Sequence, residues 1–77
     1  MEITIKYFGQ IAEETNTTEE TIRIENGNIS NILTLLLKKY DGLKYKDFQV
    51  AQNQEIVSPE TEITGAEIAL LPPFSGG

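Results

Sequence analysis

Residues 29–40 limit the folds open to this chain more than any other stretch. Ile29, Ile32, Leu33, Leu36, Leu37 and Tyr40 recur at helical spacing and form a single apolar stripe. Leu35 lies off the stripe and is expected to face solvent. Asn28 stands at the natural N-cap, where its side chain can accept an otherwise unpaired backbone N–H. Lys38 and Lys39 fall in the last turn, where positive charge suits the helix dipole. Gly42, just beyond, suits a left-handed cap. A helix with one apolar stripe has to bury it against another layer.

The flanking segments supply that layer. Ile3, Ile5 and Tyr7 alternate with Thr4, Lys6 and Phe8, a period of two that reads as a strand with one buried face. A short helical turn carrying Ile11 and Ala12 is expected over 9–15, then a turn at Asn16-Thr17-Thr18. Alternation resumes at Thr21, Ile22, Arg23 and Ile24. Asn26-Gly27 resembles a hairpin signal, but helical periodicity follows it. Leu43 to Asp47 reads as a connection, Phe48 to Gln52 as a strand, Asn53-Gln54 as a turn and Glu55 to Val57 as a short strand. Residues 60–66 read as an acidic loop in which Gly65 supplies a turn. Ile68 to Leu71 is the last strand.

Two strands, a helix and further strands, joined by a right-handed crossover, lay the last strand parallel to the first. The expected architecture is α+β: a β-grasp (ubiquitin-like) fold, with a mixed sheet of four to five strands and one main helix on one face. The helix stripe should bury against Ile3, Ile5, Ile22, Ile24, Ile68 and Leu70, with the last strand central. Seventy-seven residues leave room for one domain. A core of this size supplies roughly 3–5 kcal/mol.

Composition narrows the chemistry. With no cysteine and no histidine there is no disulfide, thiolate nucleophile, imidazole base or usual zinc site. No metal or cofactor is expected on the chain itself, and a free-standing enzyme is disfavoured. Twelve acidic against six basic residues give a formal charge of −6. That charge disfavours nucleic-acid binding and suits solubility or basic partners. The first residues lack a basic leader and a long apolar run, and no segment approaches the length of a membrane span. The expected location is the cytoplasm.

The chemistry is instead expected at the C-terminus. After the last strand come Pro72, Pro73, Phe74, Ser75, Gly76 and Gly77. Proline has no N–H for a sheet ladder, so the strand stops at Leu71. The two prolines favour a stiff, extended path, and the two glycines fit channels too narrow for a side chain. Residues 1–71 read as the domain and 72–77 as a flexible tail, stiffened at its base. Fully extended, the tail spans about 20 Å, enough to carry a terminal carboxylate into another protein.

The Pro-Pro-x-Ser-Gly-Gly ending resembles that of the small, sulfur-carrying subunit of molybdopterin synthase. More broadly it resembles the ubiquitin-like carriers that are activated at a C-terminal Gly-Gly. The likeness extends to Phe8-Gly9-Gln10-Ile11, to Asn53-Gln54 and to Gly65 before Glu67. Thr64-Gly65-Ala66-Glu67 departs from the Asp-Gly-Asp-Glu common in that family, and Ala12 stands where a basic residue is common. The resemblance implies a sulfur relay within a heterotetrameric sulfurtransferase. An ATP-dependent adenylating enzyme activates the carboxylate of Gly77, and a sulfur donor turns it into a thiocarboxylate. The tail, Pro72 to Gly76, then enters a channel in the large subunit, and sulfur passes to cyclic pyranopterin monophosphate. ATP is used by the activating enzyme and not bound here.

Partner contacts are expected from the sheet face away from the helix, where Phe8, Ile56, Leu71 and Phe74 are read as one apolar docking patch. Alternative readings are a thiamin-type sulfur carrier, a ubiquitin-like protein modifier, and a β-grasp interaction domain with an inert tail. A last alternative is part of a longer chain in which Gly77 is not the terminus.

Overall fold

The computed structural model describes residues 2–25, 27–64 and 67–73. Five strands run as β1 (Glu2–Tyr7), β2 (Glu19–Arg23), β3 (Gln49–Gln52), β4 (Glu55–Val57) and β5 (Glu67–Leu71). The helices are α1 (Gln10–Thr15) and α2 (Ile29–Lys39), and a 3-10 helix covers Asp41–Tyr45. The strands form one sheet in the order β2-β1-β5-β3-β4. Only β1 and β5 are parallel; the other neighbours are antiparallel. This is the β-grasp architecture read from the sequence, with the last strand at the centre of the sheet.

The pleat sorts the residues. Ile3, Ile5 and Tyr7 of β1, Ile68 and Leu70 of β5 and Val50 of β3 point to one side. There they bury against Ile29, Ile32 and Leu36 of α2. Leu33, Leu37 and Tyr40 flank that seam and are partly buried, as are Ile22 and Ile24 at the β2 edge. Leu35 is exposed, as its place off the stripe requires. Burying each of these aliphatic side chains contributes roughly 1.5–3 kcal/mol before the entropy cost of ordering it.

Helix α2 starts where the sequence places it. The Asn28 side chain accepts from the Asn31 N–H at 3.3 Å, and the Asn31 amide oxygen accepts from the Asn28 N–H at 2.8 Å. The Ile29 and Ser30 N–H groups donate to the carbonyls of Thr61 and Pro59. The first turn therefore has its free donors satisfied.

The far end of α2 corrects the expectation for Gly42, which is not a left-handed cap. The chain passes through Tyr40, at φ −122° and ψ 86°, straight into the 3-10 helix that contains Gly42. The cause is Leu43, whose side chain is fully buried in the core and pulls the connection inward. The exposed Glu14 carboxylate lies over Gly42, close to where a Cβ would be, and as the end of a flexible side chain it could move aside. Residues 41–45 thus form a helix, where a plain connection was expected from Leu43 onward. Ile63, inside the expected acidic loop, is likewise core.

Asn53 and Gln54 make the expected tight turn, both at positive φ (53° and 71°), joining β3 to β4 in a two-residue hairpin. Gln52 is buried and inward-facing. Its amide donates to the Glu62 carbonyl at 3.1 Å and accepts from the Thr64 N–H at 2.9 Å, tying β3 to the chain that leads into β5. Gly65 lies outside the described residues.

Candidate functional site: the outer sheet face and the base of the tail

The side chains left on the sheet face away from α2 define the first half of the site. Ala51 of β3 stands opposite Ala69 of β5 and also opposite Ile56 of β4, so all three share that face. Ala69 is in turn aligned with Lys6 of β1. The two alanines are short, and longer neighbours stand around them. The result is a groove of about 280 Å3 lined by Lys6, Phe8, Ala51, Gln54, Ile56, Glu67, Ala69 and Leu71. Phe8 is 44% and Ile56 57% exposed, values high enough to make both available to a partner. Leu71 is partly buried at the groove end. Lys6 and Glu67 form an ion pair of 3.3 Å on the rim. An exposed pair of this kind adds little stability.

Three of the four residues read as a docking patch, Phe8, Ile56 and Leu71, therefore line one groove. Phe74 lies outside the described residues, as do Ser75, Gly76 and Gly77. Sequence reasoning missed the floor residue Ala51, the rim residue Gln54 and the Lys6–Glu67 pair. Ala51 was legible in principle, since it is out of phase with buried Val50.

The second half is the base of the tail. Strand β5 ends at Leu71, as the prolines demand, and Pro72 and Pro73 are exposed. The backbone N–H of Phe8 donates to the Leu70 carbonyl at 3.2 Å, which carries the β1–β5 pairing beyond the end of β1. Gly9 follows at φ 57° and ψ −133°, angles that favour glycine. A Cβ built on Gly9 would come within 2.7 Å of Pro72 Cγ. The Pro72 ring thus packs directly against the backbone of Gly9.

A separate polar cluster lies at the β2 edge. Glu20 accepts hydrogen bonds from the hydroxyls of Tyr7 (2.5 Å) and Tyr40 (2.7 Å) and from Lys39 Nζ (2.5 Å). The two tyrosine rings meet edge to face at 6.0 Å. Partial burial disfavours the Glu20 carboxylate, but the donors from Lys39, Tyr7 and Tyr40 outweigh it and hold its pKa below the usual carboxylate range. Burial first, then Glu20, pushes the Tyr7 hydroxyl far up. Glu20 accepts from all three donors, which ties β2 to α2, so the cluster reads as structural. Among the described residues no cluster of three or more Asp or Glu side chains is placed to hold a metal ion. No described helix is long and apolar enough to cross a membrane.

Residues 5–77 match the ThiS family. The chain belongs to that family. The molybdopterin synthase sulfur carrier subunit of Chlamydomonas reinhardtii is 30% identical over 83 aligned positions, covering the whole of both chains. Subunit 1 of the molybdopterin-converting factor of Helicobacter pylori, solved in a complex with subunit 2, is similar as well. It shares 25% identity at a TM-score of 0.69, with full coverage of each chain. The small archaeal modifier protein 1 of Haloferax volcanii has the same fold. It gives a TM-score of 0.81 at 19% identity, covering 95% of this chain and 98% of that one.

Proposed function

We propose that this ThiS-family chain is the sulfur-carrying subunit of a molybdopterin synthase, with the C-terminal carboxylate of Gly77 as its reactive group. The observation that carries the reading is a full-length likeness to a molybdopterin synthase sulfur carrier subunit in a chain that ends Pro-Pro-Phe-Ser-Gly-Gly. A carboxylate is a poor electrophile until it gains a leaving group. Attack of the Gly77 carboxylate on the α-phosphorus of ATP, in the activating enzyme, gives an acyl-adenylate and releases pyrophosphate. A sulfide-equivalent donor then attacks the acyl carbon, AMP departs, and a thiocarboxylate remains. That sulfur passes to cyclic pyranopterin monophosphate in the large subunit. The domain supplies no acid or base to these steps. Its contribution is a rigid mount for Pro72 to Gly77 and a surface that the partner can hold.

The docking surface is the groove of Phe8, Ile56 and Leu71, to which the sequence alone adds Phe74. Ordering each tail residue in a partner channel costs roughly 1–2 kcal/mol. Pro72 and Pro73 reduce that cost because their backbone is already restricted. The deciding experiment is mass spectrometry of the intact protein after incubation with ATP, its activating enzyme and a sulfur source. Exchange of one oxygen for sulfur at Gly77 is expected, and an unchanged mass overturns the proposal. Membership of the ThiS family favours a second reading, a carrier serving thiamin synthesis. It shares the adenylation chemistry and differs in destination, so capture of the thiocarboxylated chain by a molybdopterin synthase large subunit separates the two.

A further inference from the structure

Strand β1 pairs with β5 in the register Thr4↔Glu67 through Tyr7↔Leu70. Continued by two residues, the same offset brings Gly9 opposite Pro72, where the proline ring is found against the glycine backbone. Pro72 has no N–H with which to extend the ladder, so packing takes over where hydrogen bonding stops. The residues just before this pair, Phe8 and Leu71, both line the outer groove. The same two dipeptides, Phe8-Gly9 and Leu71-Pro72, therefore build one end of the docking face and the base of the tail. Here we propose that Gly9 is a positioning residue: its bare backbone seats the Pro72 ring and fixes the angle at which the tail leaves the docking face. A partner that grips the groove then meets the tail already aimed in one direction. Any side chain at position 9 pushes Pro72 out of its seat, and proline stiffness alone cannot restore the aim, because stiffness fixes shape and not direction.

This inference rests on the carrier reading and is tested by the kinetics of carrier adenylation with the activating enzyme, comparing Pro72→Ala with Pro73→Ala. Both variants remove one proline restraint, but only the first removes the ring that sits on Gly9. Pro72→Ala is expected to raise KM for the carrier roughly fivefold more than Pro73→Ala, about the effect of freeing one further backbone residue, with kcat retained. Gly9→Ala should raise KM in the same way, but its positive φ also strains the fold, so the proline pair is the decisive comparison. NMR of the wild-type protein should show a through-space contact between the Gly9 α-protons and the Pro72 γ-protons. An absent contact, or a loss in Pro72→Ala no larger than in Pro73→Ala, overturns the seat and leaves the carrier reading standing. Failure of the wild-type chain to be adenylated at all overturns the carrier reading, and the role of the seat falls with it.

Discussion

Ala51 and Ala69 stand directly opposite each other on β3 and β5, and their methyl groups form the floor of the outer groove. Both point away from the face that packs on α2; Ala51 is buried at the bottom of the groove, and Ala69 is partly exposed beside it. Ala69→Leu should fill the groove and weaken binding of the proposed large-subunit partner at least about tenfold, equivalent to roughly 1.4 kcal/mol. Stability should move by no more than about 0.5 kcal/mol, as for other surface changes. Calorimetry of the binary complex beside thermal melts of the free chain checks both halves. Unchanged affinity would remove the groove from the interface.

The terminus makes a sharper demand. The proposed adenylation needs a free carboxylate on Gly77, so an uncleavable residue appended after it should abolish thiocarboxylate formation while the melting curve stays where it was. Mass spectrometry reads the first and circular dichroism the second. Phe74→Ala should leave the proposed adenylation possible but weaken association with the proposed large-subunit partner.

Glu20 links stability to pH. Its folded-state pKa lies below the unfolded value of about 4.3. The stabilisation it brings is therefore present above that value and is lost as pH falls through the folded pKa. Glu20→Gln should melt at a lower temperature than wild type near neutrality, and the gap should close as the solution is acidified below about pH 4. A gap that is constant from pH 7 to pH 3 would mean the charge on Glu20 is immaterial.

Within the core, Ile32 and Leu36 are fully buried between α2 and the sheet. Truncating either to alanine should cost about 2–5 kcal/mol. A domain of this size has little more than that to lose. Urea titration of Leu36→Ala should therefore show a population already partly unfolded without denaturant. A shift under 1 kcal/mol would mean the helix is not held by this seam.

Much of the fold was legible because its elements announce themselves locally. The stripe from Ile29 to Tyr40 has a helical period and a capping asparagine. The runs Ile3-Ile5-Tyr7 and Ile68-Leu70 alternate, and two prolines end the last strand. Two core residues were not legible. Leu43 and Ile63 are single apolar residues in polar company, with no period to mark them, and only the surrounding elements show that each fills a gap. Gly42 has the composition of a cap, yet its position is set by its buried neighbour Leu43.

The chain's own order of residues determined the apolar stripe of the main helix, the alternating strands that face it and where the final strand halts. Tertiary structure alone decided which distant residues meet: Ala51 with Ala69, Lys6 with Glu67, Glu20 with two tyrosines and a lysine, Gly9 with Pro72. Periodicity is a property of neighbours in sequence and survives in any isolated segment. Strand register is fixed only when a whole sheet closes over its helix, and no short stretch of residues records it.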